Sequence, residues 1–164
     1  MTTEQYWASL DTLASSRGTD RLLEAADLLR DHPDLPLLIS CRRIHGRIRH
    51  LFTSFDERSP DATGNRYLIC FTSEKQAKKA PVTPVMDDAH DSGPSFDNLE
   101  ERYPSGKRRK KGATTPWKTE AGETARVSTG KVLAYAKRDR AVGGIIFNPG
   151  DEKHSLAIAK FLLK

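Results

Sequence analysis

Nine cations in two groups are the side chains of this sequence best suited to holding a ligand. Arg42 and Arg43 precede the dipeptide His45-Gly46, and Arg47 and Arg49 follow it. Further on, Lys107, Arg108, Arg109, Lys110 and Lys111 run without interruption. A guanidinium offers a planar fork of donors that matches a phosphate or a carboxylate. Adjacent cations attract a phosphate chain by releasing its counterions. Tyr103 and Trp117 flank the second group and present faces on which bases can stack. Each group also has a plainer explanation, as a solvated strand end and as a solubilising loop.

Signatures of catalysis are missing from the sequence. There is no GxSxG, no HExxH, no GxGxxG and no P-loop. His32, His45, His50, His90 and His154 are scattered without ligand spacing. Hairpin register would bring Cys41 opposite His50, but two such side chains cannot close a zinc site, which takes four ligands. Asp87, Asp88 and Asp91 cluster where no rigid frame supports a cation. Asn148-Pro149-Gly150 looks like a turn opening a helix, yet Asp151 and Glu152 bring negative charge to the place an anion would occupy. No catalytic residue, metal or cofactor is expected.

The elements that must carry these residues follow from composition and periodicity. The 164 residues fit one domain, with 37% hydrophobic and 30% charged residues and a formal charge of +5. That balance suits a soluble protein with a mild preference for anionic partners. Cys41 and Cys70 lie in separate apolar runs and read as buried, reduced thiols. The first residues have no basic segment followed by an apolar stretch, and no run reaches membrane-spanning length. A cytoplasmic location with no membrane contact is expected.

Residues 3–15 carry Tyr6, Leu10 and Leu13 at helical spacing, with Trp7 and Ala14 beside them. Ser16-Arg17-Gly18 breaks this helix. A second one, capped by Thr19 or Asp20, presents Leu22, Leu23, Ala26 and Leu29 and ends at His32-Pro33. Residues 35–55 read as a hairpin turning at His45-Gly46, with Cys41 opposite His50 and Ile39 opposite Phe52. Residues 67–71 are continuously apolar, as in a central strand, and Ser73 with Gln76 forms a capping pattern for a short helix. Residues 82–86 suit an edge strand because of Pro84. Residues 87–126 are polar and charged, with Phe96, Leu99, Tyr103 and Trp117 the only large apolar groups. They read as a flexible basic insertion. A helix from Ser128 or Thr129 to about residue 138 turns Val132, Leu133 and Ala136 inward.

Residues 145–147 form an apolar strand, and the apolar residues after the turn predict a closing helix that is largely enclosed. The expectation is an α/β (α+β) fold. A mixed sheet of about four to five strands, at 36–44, 47–54, 66–72 and 143–147, carries packed helices, an N-terminal helix pair and a buried C-terminal helix. Residues 1–32 form a helical extension, 35–86 and 127–164 the core, and 87–126 the insertion.

Two segments carry a resemblance. YLICFTSEKQA, residues 67–77, and GGIIFNPGDEKHSLAIAKFL, residues 143–162, together resemble the N-terminal domain of SseB-type ("enhanced serine sensitivity") proteins, a family of small bacterial proteins. The likeness spans about residues 35–86 and 127–163. The basic insertion is longer than that pattern and the N-terminal helices lie outside it. The resemblance implies a non-enzymatic accessory or protein-interaction domain, whose partner is another protein. The rival reading is a nucleic-acid-binding module built on Arg42, Arg43, Arg47, Arg49 and the run from 107 to 111.

Overall fold

A computed structural model describes residues 1–44, 47–50, 52–54, 66–79, 83–85, 95–96, 101–103, 118–120 and 123–164. The chain opens with helices α1 (Thr3–Ser15) and α2 (Asp20–Asp31). Strands β1 (Pro36–Ile44), β2 (Arg47–His50), β3 (Phe52–Ser54) and β4 (Arg66–Phe71) follow, then helix α3 (Glu74–Lys79). Five short or medium strands come next: β5 (Thr83–Val85), β6 (Ser95–Phe96), β7 (Glu101–Tyr103), β8 (Lys118–Glu120) and β9 (Glu123–Ser128). Helix α4 (Thr129–Arg138), strands β10 (Val142–Phe147) and β11 (Leu156–Ala159), and a 3-10 turn (Lys160–Leu163) complete it.

The fold is α/β; among the described residues nine strands form the main sheet and β5 pairs with β8 in a separate ribbon. Through the middle of the main sheet the order is β11-β10-β4-β1-β9-β7. β4 and β10 run parallel, whereas β1 is antiparallel to both β4 and β9. The connection β9-α4-β10 is therefore a crossover between strands of like direction, as a parallel arrangement requires. Ile69, Cys70, Ile145 and Phe147 are fully buried, in keeping with central strands covered on both faces.

The N-terminal helices are part of this core. Thr2 and Gln5 exchange the two bonds of a capping box at the start of α1. Tyr6 donates its hydroxyl hydrogen to Thr129 Oγ1 at 2.8 Å, and Thr129 donates in turn to the Leu35 carbonyl. Trp7 Nε1 donates to the Pro36 carbonyl at 2.8 Å, and the Arg126 guanidinium lies 4.8 Å from the Trp7 ring centroid. Those links fasten α1 to β1, β9 and α4. Gly18, at φ +105°, makes the bend to α2 in a region that other residues rarely enter. α2 turns Ala25, Ala26 and Leu29 inward, while Leu23, expected on the apolar face, is 53% exposed. The difference is one step of about 100° around the helix.

The expected C-terminal helix is instead a strand. Residues 151–154 form turns, and β11 then pairs antiparallel with β10 from Gly144↔Ala159 to Phe147↔Leu156. Leu156 and Ile158 are buried while Ala157 is exposed, which is a period of two. Four residues cannot separate that alternation from a helical one, and the apolar length of the segment hid it. Lys153 stands in a turn and Lys160 in the 3-10 segment. Gly144 is required where β11 closes on β10, since a Cβ there would come within 2.1 Å of the Ile158 carbonyl oxygen.

β9 was not foreseen. It begins inside the segment read as an insertion and pairs with β1 from Pro36↔Ser128 to Cys41↔Glu123. Thr124, Ala125 and Val127 are buried there. Part of the expected hairpin register also changes. Cys41 does oppose His50, but Phe52 opposes Leu68, not Ile39. β4 pairs with β1 at Leu38 and Ile39, so the return strand leaves β1 after His50 and fills the gap where β1 and β4 diverge. The turn at His45-Gly46 lies outside the described residues.

Candidate functional site

The two groups of cations fare differently. Arg42 and Arg43 fall in β1, and Arg47 and Arg49 in β2, with Arg42↔Arg49 and Ile44↔Arg47 in register. Positions 42, 47 and 49 therefore share one face of the hairpin and position 43 the other. Lys107, Arg108, Arg109, Lys110 and Lys111 lie outside the described residues.

The structure draws attention to another place, where the parallel strands β4 and β10 both end in phenylalanine. Thr72 follows the first and Asn148 the second, and the two side chains meet. Thr72 N–H donates to Asn148 Oδ1 at 3.1 Å, and Asn148 Nδ2 donates to Thr72 Oγ1 and to the His154 carbonyl, each at 2.9 Å. The Thr72 hydroxyl donates to Asp11 Oδ1 at 2.6 Å, a charge-assisted bond that reaches α1. Asn148 N–H donates to the Cys70 carbonyl, and Asp151 N–H donates to the Asn148 carbonyl. Asn148 is 1% exposed and has φ +50°, a left-handed conformation that asparagine tolerates better than most residues. Every polar group of Asn148 is thus committed within the protein. The arrangement is a clamp across two strand ends, and the Thr72 hydroxyl is spent in it.

Beside the clamp lies a cleft of about 370 Å³. One wall is α3, with Gln76 and Lys79, and the other is the turn 148–153. Ser73 Oγ accepts the Gln76 backbone N–H at 3.1 Å, which is one half of the expected capping box; the Gln76 side chain does not return the bond to Ser73. That bond holds the first turn of α3 and sets the Gln76 side chain into the wall. The opposite wall is shaped by Asp151, whose Oδ1 accepts the Lys153 N–H at 3.1 Å and whose Oδ2 lies 3.3 Å from His154 Nδ1. Partial burial pushes the Asp151 carboxyl upward, but the Lys153 N–H, His154 and the Lys79 ammonium outweigh it and hold the group below its ordinary value of 3.8. It is a carboxylate at neutral pH.

Gln76 differs from Asn148. It is 8% exposed, and its side-chain carboxamide makes no hydrogen bond among the described residues. Among the described residues the lining adds two lysines to two acidic residues, so their formal charge sums to zero. Among the described residues no three His, Cys, Asp or Glu side chains are placed to hold a metal ion. Sequence reading took Gln76 only as a helix-capping residue. A glutamine one turn into a helix that follows a central strand is the signal that points to it, since the ends of parallel strands are where α/β sheets open clefts.

A second feature stands at the end of the chain. Phe161 is 71% exposed on the 3-10 turn, which packs against α2. Arg30 of α2 donates to the Lys164 carbonyl at 2.7 Å. Leu23 precedes Arg30 by two helical turns and lies on the same stripe. Phe161 precedes Lys164 by one 3-10 turn, where side chains at that spacing eclipse. No helix among the described residues is long and apolar enough to cross a membrane. Comparison of the chain with protein-family models, curated proteins and solved structures found no match.

Proposed function

We propose that the chain is a non-catalytic, cytoplasmic accessory domain of the SseB type that acts by binding another protein. The observation that carries this reading is the apolar surface at the closing turn, where Phe161 and Leu23 are exposed on elements that pack together. A phenylalanine left 71% exposed retains most of its apolar area for burial against a partner. The two segments that carry the family resemblance meet in the structure. Phe71-Thr72 and Phe147-Asn148 end neighbouring strands, and the Asn148 carboxamide joins them.

The test is a capture experiment with the full chain immobilised in lysate of the producing cells, with and without nuclease. A specific protein should remain bound after nuclease and be lost with Phe161→Ser, while the variant keeps the parent melting temperature. Retention that depends wholly on nucleic acid, and is lost when positions 42, 43, 47 and 49 become glutamine, would replace this reading with a nucleic-acid-binding one.

A further inference from the structure

We infer that the cleft between α3 and the 148–153 turn is a binding site for a short stretch of polypeptide main chain, with the Gln76 carboxamide pairing to a peptide group of the occupant. This rests on the protein-interaction reading and names a second contact surface for it.

The chemistry starts from Gln76. A carboxamide has two N–H donors and one acceptor oxygen. The Gln76 carboxamide is not among the buried side-chain atoms that lack a partner, so it keeps contact with water that an occupant of the cleft can replace. Asn148, at the edge of the same cleft, has all its capacity used internally. Gln76 has that capacity free and lines the space. A neutral group that offers one donor and one acceptor side by side completes it, and a main-chain peptide unit is such a group.

The rest of the lining narrows the choice. Lys79 and Lys153 are balanced by Asp151 and Glu152, so neither a phosphate nor a multivalent cation gains from the summed charge. Asp151 is already engaged by Lys153 N–H and stays ionised, which maintains that balance at neutral pH. A volume of about 370 Å³ falls within the ~300–1,000 Å³ typical of clefts that enclose small ligands. The wall opposite Gln76 is tied to β4, β10 and α1 through Asn148, Thr72 and Asp11, so the site is held in shape before anything enters.

The probe is an uncharged peptide, N-acetyl-trialanine N-methylamide, titrated into the ¹⁵N-labelled full chain. Saturable shifts are expected at millimolar peptide in the Gln76 side-chain NH₂ and in the backbone of Gly150 and Glu152. Gln76→Met, of similar length and without the carboxamide, should weaken binding about tenfold at an unchanged melting temperature. Gln76→Asn, one methylene shorter, reads whether reach matters. No saturable change at Gln76 with the peptide would overturn the inference. So would inorganic phosphate that saturates the same resonances when the peptide does not, because it would identify an anion site. The parent reading is tested separately. If Gln76→Met retains the nuclease-resistant partner that Phe161→Ser loses, the cleft plays no part in the interaction, while the interaction itself stands.

Discussion

Replacing Asn148 by alanine removes the bonds to Thr72 N, Thr72 Oγ1 and the His154 carbonyl, and it places a non-glycine, non-asparagine residue at φ +50°. Each hydrogen bond is worth about 1 kcal/mol net, and the left-handed conformation adds roughly 1–2 kcal/mol for alanine. We expect Asn148→Ala to destabilise the protein by about 4–5 kcal/mol in urea unfolding. Asn148→Gly should recover the conformational part alone. Asn148→Asp should not rescue, because a carboxylate cannot donate to Thr72 Oγ1 or to the His154 carbonyl. Stabilities equal to the parent's in all three variants would show that the clamp contributes nothing. Asn-Pro-Gly was readable as a turn from the types of its residues. That its first residue joins two strands was not, since Thr72 is 76 positions away.

At the level of elements, β11 invites a test that separates a strand from a helix. Ala157 is exposed between buried Leu156 and Ile158. A β-branched residue at an exposed strand position improves the fit to a pleated surface, whereas in a helix it costs up to about 0.7 kcal/mol relative to alanine. Ala157→Thr should therefore leave the melting temperature unchanged or raise it by one or two degrees, with a few tenths of a kcal/mol gained. A clear loss of stability would contradict the strand. The helical expectation at this segment fails for a local reason. β11 takes the outer edge of β10, and strand pairing of that kind is decided by which edge is vacant, something no short window contains. The same holds for β9. Its sequence Glu-Thr-Ala-Arg-Val-Ser is too polar to announce a central strand. It becomes one because β1 offers an edge and because Arg126 is accommodated against the Trp7 ring and Glu74.

Across the whole molecule, the basic run and the folded core should be separable. Residues 107–111 bring no apolar side chain that the core could bury. Changing Lys107, Arg108, Arg109, Lys110 and Lys111 to serine or glutamine should leave the thermal midpoint nearly unchanged, as measured by circular dichroism. If the chain binds nucleic acid, the same change should make log K less steep against log salt, because fewer counterions are released. A large drop in the midpoint would show that the run is built into the fold. The sequence by itself determined the features that act over a few residues. These are the two N-terminal helices and the glycine bend between them, the apolar strands at Tyr67–Phe71 and Ile145–Phe147, the α4 face of Val132, Leu133 and Ala136, and the Ser73 cap. Periodicity, capping and turn chemistry are local, so they can be read locally. Tertiary structure alone decided the pairing of β9 with β1 and of β11 with β10, the junction of Thr72 with Asn148, and the free carboxamide of Gln76 in its cleft. Each of those depends on which edges and polar groups remain unsatisfied once the rest of the chain is in place, and that is a property of the assembled sheet.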